Sequence, residues 1–234
     1  MNERTKNRAA IERKQQAAPE NTSRRRALAA FGAFAGTSVA ARAPAEAADC
    51  NAPLEMLRVR TGRDPTGKSV FASVGPSPRI VNFLSMPALA FWDMYATQGA
   101  PSLTGREEDP IPHVTNMVPQ AGETRFFLIQ FPPRPPEGWQ PTAEWYEAAV
   151  REWGEKTPGF VFEKGEYWMH TTDTVDYDVV VRGEIVLELD DGKTVHLRQG
   201  DCIVQNGTRH RWFNPLDEPC LMAVVMVGGL RKTG

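Results

Sequence analysis

Between Gly165 and Asn214 the chain alternates short runs of Val, Ile and Leu with turn signals, and no other stretch constrains the fold as strongly. Arg182-Gly183, Asp191-Gly192 and Asn206-Gly207 close three such runs. Asp-Gly and Asn-Gly favour tight hairpins because both residues tolerate positive φ. Turns about ten residues apart predict a compact antiparallel sandwich or barrel. Alternate residues of a strand share a face. His170, Thr172, Thr174, Asp176 and Asp178 are therefore expected to point one way, with Asp173 and Tyr177 opposite. His170 precedes the first run and His210 follows the last turn, so two imidazoles frame the stretch.

These residues resemble the two motifs of the cupin superfamily, G(X)5HXH(X)3,4E(X)6G and G(X)5PXG(X)2H(X)3N. His170 takes the first histidine position, Thr172 stands where the second histidine would be, Asp176 replaces the glutamate and Gly183 follows. In the second motif Gly200 opens, with one residue fewer after it. Gln205-Asn206-Gly207 replaces Pro-X-Gly, and His210 and Asn214 fall in register. The resemblance implies an all-β fold: a single cupin (double-stranded β-helix, jelly-roll) barrel with an N-terminal strand extension and one outer helix. It also implies a homodimer.

If Asp176 points into such a barrel, so does His170, and His210 joins them from a facing strand. Two imidazoles and one carboxylate suit a divalent transition metal, whether Fe, Mn, Ni or Zn. They leave coordination positions open for substrate, water or dioxygen. Asp178, a second carboxylate on the same face, is a fourth ligand or a general base, and Thr172 a hydrogen-bond donor to metal-bound water. Against this stands the loss of metal that cupin-like barrels often show, here with one ligand replaced and one shortened. Two like carboxylates resist joint ionisation when buried, which favours a cation. The implied function is a metal-dependent enzyme on a small oxygenated organic molecule, of oxygenase, isomerase, decarboxylase or dehydratase type. The alternative is a metal-free small-molecule-binding barrel with Trp212 and Phe213 on its wall. A storage role is disfavoured by the small size and single copy.

The first fifty residues read as lying outside any fold. Residues 1–22 are polar, Ser23-Arg24-Arg25-Arg26 is basic, and a small-residue apolar run leads to Ala45-Glu46-Ala47. That run is too short and weakly apolar to span a membrane. Basic region, apolar region and small-residue exit resemble a twin-arginine export signal over 1–47, implying a periplasmic or secreted protein that crosses the membrane folded. Its removal leaves 187 residues with 18 basic and 25 acidic side chains, a net charge of about −7. An acidic chain is a poor partner for nucleic acid, whose phosphates need a basic face. No later segment is long enough to span a membrane. The three cysteines leave a Cys202–Cys220 disulfide or free buried thiols both open.

Residues 48–164 read as an N-terminal β extension, loops and a helix completing the barrel around the core at 165–234. Strands are expected over 57–60, 69–74, 79–84, 88–95 and 124–131. Residues 97–123, dense in Gly, Pro and acidic residues, read as a long surface loop, decorative or a lid, and His113 within it as solvated. The proline run from Pro132 ends the first half. Thr142 caps a helix running to about Trp153, with Gly154 at the exit. Its face of Trp145, Ala148, Ala149 and Trp153 is read as packing on the outside of the barrel rather than forming a ligand box.

Overall fold

The structure is a computed structural model, and it describes residues 54–232. The export signal at 1–47 and Cys50 lie outside the described residues. Strands β1 (Arg58–Arg63), β2 (Ser69–Gly75), β3 (Ile80–Asn82), β4 (Ala90–Gln98) and β5 (Glu123–Phe131) precede helix α1 (Ala143–Lys156). Strands β6 (Thr174–Arg182), β7 (Glu184–Glu188), β8 (Thr194–Arg198), β9 (Cys202–Asn206), β10 (Arg211–Phe213) and β11 (Cys220–Gly228) follow it. The fold is all-β with one outer helix, as the sequence predicts.

Six strands form one antiparallel sheet in the order β3-β4-β5-β11-β6-β9, and β10-β7-β8 form a second. The main core lies between them. It takes Phe91, Phe127, Ile129, Val180, Met222 and Val224 from the larger sheet and Ile185 from the smaller, with Leu197 and Trp212 packed against it. The last strand holds the sheet together by pairing on one edge with β5 and on the other with β6. The opposite face of the large sheet carries a smaller cluster of Ala90, Trp92, Met94 and Leu221, covered by Leu54 and Met56. Strands β1 and β2 make a separate hairpin, tied down where Arg58 donates to both carboxylate oxygens of Asp109 at 2.5 and 2.7 Å.

The Gly165–Asn214 stretch supplies five strands, β6 to β10, not three. Gly200 (φ 93°) adds a turn beside those at Gly183, Asp191-Gly192 and Gly207. At Gly183 the backbone has φ 82°, and an added Cβ would lie 3.1 Å from the Cys220 Cα, so both conformation and space demand glycine. This turn lets β7 leave the edge of β6 and enter the second sheet.

The expected surface loop at 97–123 differs in the structure. Ile111 and Met117 are buried, the Gly105 carbonyl accepts from Arg63 N–H at 2.7 Å, and Arg125 donates to the Asn116 carbonyl at 3.1 Å. Two apolar anchors in an otherwise polar segment are enough to seat it against the barrel, a long-range outcome that local composition does not reveal. His113 is exposed, as expected. The helix starts as predicted, with the Thr142 hydroxyl accepting from Trp145 N–H at 3.2 Å. It runs past Gly154 to Lys156, because Thr157 closes it by donating from N–H and hydroxyl to the Trp153 carbonyl. Cys202 is exposed, Cys220 is buried, and both are free thiols.

Candidate functional site

The inward face of β6 follows the expected alternation. His170, Thr172, Thr174, Asp176, Asp178 and Val180 are all buried, while Asp173 and Tyr177 are exposed. On the neighbouring strands Asp176 faces Met226 and Gln205, and Asp178 faces Val224 and Ile203. Two carboxyl groups thus sit on one buried face, Asp178 between apolar partners and Asp176 between Met226 and Gln205. Oδ1 of each has no hydrogen-bond partner among the described residues. Burial raises the Asp178 carboxyl to about 8, helped by the neighbouring Asp176 charge. Burial likewise raises Asp176, to about 6, against a lowering hydrogen bond from Thr174.

The histidines form the second half of the site. His170 and His210 exchange backbone hydrogen bonds at 3.0 Å in both directions, which brings their ring centroids to 4.2 Å with the planes tilted by 56°. His170 Nδ1 lies 2.8 Å from the Trp168 carbonyl. A carbonyl only accepts, so Nδ1 carries the hydrogen and Nε2 keeps its lone pair. His210 Nδ1 meets the Thr208 carbonyl at 2.8 Å and the Gln205 side-chain nitrogen at 3.0 Å, which make opposite demands on its proton. Burial, and then the adjacent His210, lowers His170 to about 3; burial lowers His210 as well. Both rings are neutral, as metal binding or proton acceptance requires. Thr172, in the position of the missing histidine, lies hydroxyl to hydroxyl with Thr174 at 2.8 Å.

The ring of His170 is aimed by a strained residue. Trp168 has φ 60°, a left-handed conformation that is costly for a bulky side chain. Its N–H donates to the Tyr146 hydroxyl at 2.9 Å, and that hydroxyl donates to the Glu166 carbonyl at 3.2 Å. Arg209, next to His210 but paired outside the cavity, clamps Glu163 at 2.6 Å and Asp190 at 2.8 Å. Helix and clamp together hold the 163–169 segment so that its backbone presents a carbonyl to the imidazole.

Above this polar floor is a cavity of about 690 Å³. Phe91, Phe127, Trp153, Phe160, Phe162 and Trp168 wall it, and Trp139, Trp145 and the proline run at 132–136 form its more exposed rim. Trp153 alone packs its ring against Phe83, Phe91, Phe160, Phe162 and Trp168, at centroid distances from 4.7 to 6.2 Å. The reading of α1 as mere outer packing is therefore corrected. The helix lies outside the strands, but Trp145 and Trp153 on its inner face line the cavity. Ala148 is exposed and does not share that face. The available signal was aromatic density: four of the six tryptophans fall within residues 139–168.

The donor types, two imidazoles and two carboxyl groups that each keep one unpartnered oxygen, are those that bind divalent transition metals. Among the described residues no three His, Cys, Asp or Glu side chains lie together closely enough to hold one ion. The donor chemistry fits a metal, while the spacing leaves a histidine pair and an aspartate pair. The site is not a preformed metal cage.

An all-β double sheet with a polar floor under an aromatic cavity defines a small-molecule barrel. Residues 160–227 match the family model described as a cupin domain, which supports the cupin superfamily for this segment. Two "Phomopsin biosynthesis cluster" proteins of Diaporthe leptostromiformis, C' and D, are each 52% identical over 50 residues, covering 21% of this chain and 26% of theirs. The "Cupin-domain-containing oxidoreductase srdD" of Neurospora crassa is 34% identical over 84 residues, 31% of this chain and 43% of its own. The chain thus matches about a quarter to under half the length of these relatives. Among solved structures, a putative ethanolamine utilization protein of Salmonella typhimurium aligns with 76% of this chain and all of its own, at 11% identity and a TM-score of 0.36.

Proposed function

We propose that the chain is a cupin-type enzyme of oxidoreductase character that acts on an organic molecule held in the aromatic cavity. The observation that carries this reading is the polar floor, where two neutral histidines and two carboxyl groups, each with one unpartnered oxygen, face a largely aromatic chamber. A relative that bears the oxidoreductase name aligns over 84 residues, which supports the class of chemistry. In this proposal His170, His210 and Asp176 would hold a divalent transition metal. A metal there supplies Lewis-acid polarisation of a substrate oxygen or activation of dioxygen. Asp178 faces the cavity with a free oxygen and takes or returns the substrate's proton. Trp168 and Thr208 orient the two rings through their carbonyls. The aromatic walls exclude water from the floor and orient the substrate.

We extend the proposal to export through the twin-arginine-like segment, to a periplasmic or secreted location, and to a homodimer. Elemental analysis of protein from metal-supplemented growth tests the central claim. Native protein is expected to carry close to one transition-metal ion per chain, and His210→Ala to lose most of it while staying folded. A second reading, a metal-free binding barrel, is favoured by the absence of a three-donor group among the described residues. Native protein with no transition metal above background gives that reading first place.

A further inference from the structure

We infer that the cavity takes a flat, largely apolar ring compound with one neutral hydrogen-bonding head seated on the floor, and rejects anions such as sugar phosphates. This rests on the cavity being the substrate site of the proposed function. The polar groups of the lining decide the matter. Ser85 is spent on Glu152, its hydroxyl donating at 2.6 Å. Asn214 donates to the Pro132 and Glu218 carbonyls at 3.0 and 2.7 Å, and accepts from Leu216 N–H at 2.9 Å. Arg134, the one Arg or Lys side chain on the lining, is at the rim, more than half exposed, and paired with Asp217 at 2.6 Å. What remains for a ligand is the floor, with the two histidines, Thr172, Asp176 and Asp178, and a single donor on the wall, the unpartnered indole N–H of Trp153.

Two consequences follow. A polyhydroxylated ligand would press several hydroxyls against Phe127, Phe160 and Phe162 with only the Trp153 indole N–H to meet one of them, and an unpaired buried hydroxyl is costly. In the metal-free protein a carboxylate or phosphate head would reach a floor that holds two carboxyl groups and no Lys or Arg, so its charge would be buried unpaired. A ring system meets opposite conditions. The wall rings already pack edge-to-face, Trp153 with Phe160 at 5.2 Å and Phe162 with Trp168 at 5.0 Å, and an inserted ring adds contacts of the same kind. The volume of about 690 Å³ lies within the range of pockets for drug-sized molecules. Two or three rings with a phenolic, alcoholic or carbonyl head fit that space.

Metal-free protein, so that the metal question is kept apart, is titrated with 2-naphthol, 2-naphthoate and glucose 6-phosphate at pH 7.5. Binding is followed by tryptophan fluorescence and by calorimetry. The naphthol is expected to bind, the naphthoate at least about ten-fold more weakly, and the sugar phosphate not at all. Trp145→Ala, at the half-exposed rim, and Phe162→Leu, on the wall, are each expected to weaken the naphthol several-fold. Equal affinity for the two naphthalenes, binding of the sugar phosphate, or no binding of the naphthol overturns the inference. Unchanged naphthol affinity in both variants does so too, because the ring would then sit elsewhere. Discrimination by the metal-free protein leaves the ligand class standing even where elemental analysis of the native protein overturns the metal proposal.

Discussion

Glu152 of α1 is the staple that fixes the aromatic wall to the barrel, and its removal gives a test with a defined pH signature. Its carboxylate accepts from Leu84 N–H at 2.7 Å, from Ser85 N–H at 2.9 Å and from the Ser85 hydroxyl at 2.6 Å. It also pairs with Lys156, one turn on, at 2.7 Å. Burial works to raise the carboxyl, but the hydrogen bonds from Lys156, Ser85 and Leu84 outweigh it and hold the group at about 2. Its ordinary value is 4.5. At about 1.4 kcal/mol per unit this gap corresponds to roughly 3 kcal/mol of stability at pH 7. The Glu152 side chain is 15% exposed and Lys156 35%, so solvent screening reduces the contribution to about 1.5–3 kcal/mol.

The sign is set by linkage. A carboxyl depressed in the folded state stabilises fully above its unfolded value of 4.5, and the contribution drains away as pH falls from 4.5 towards 2. Glu152→Gln is therefore expected to lower stability by about 1.5–3 kcal/mol at pH 7. The gap to native should shrink by roughly two-fifths at pH 3.5, where the unfolded chain is already protonated at this site. Urea unfolding at both pH values measures it, with the midpoint shift converted through a common m-value. A gap that is the same at pH 7 and pH 3.5 refutes the ion-based account and leaves only packing. So does a gap under about 0.5 kcal/mol at pH 7.

Tyr146→Phe deletes the hydroxyl that holds Trp168 N–H and the Glu166 carbonyl, and is expected to cost about 1–2 kcal/mol in urea unfolding and to broaden the His170 ring signals in NMR; sharp, unshifted ring signals would disprove the positioning role. Gly183→Ala forces a side chain into a left-handed turn 3.1 Å from the Cys220 Cα, and about 1–3 kcal/mol of lost stability is expected in thermal melting, with an unchanged midpoint counting against it. Changing Arg24 and Arg25 together to lysine should keep the precursor in the cytoplasm, and processed protein reaching the periplasm unchanged would end the export proposal.

What the sequence determined by itself is the part governed by neighbours along the chain. Period-2 alternation put His170, Thr172, Asp176 and Asp178 on one buried face, because successive side chains of a strand must diverge. Turns at Gly183, Asp191-Gly192 and Gly207 were legible because few other residues accept positive φ. The start of α1 at Thr142 was legible from its capping oxygen.

The tertiary structure decided what those faces meet. Whether Trp145 and Trp153 pack outward or over a cavity depends on where α1 docks, and that is set by Glu152 reaching Leu84 and Ser85, some 67 residues away in the chain. The burial of Ile111 and Met117 within a polar loop depends on a barrel surface that no local window contains. The separation of the histidine pair from the aspartate pair is of the same kind. The motif spacing orders the donors along the chain, but the backbone bridge between His170 and His210 and the register of Asp176 against Gln205 set where each lies. Local rules fix directions of side chains; long-range packing fixes the distances between them, and chemistry at a site depends on distance.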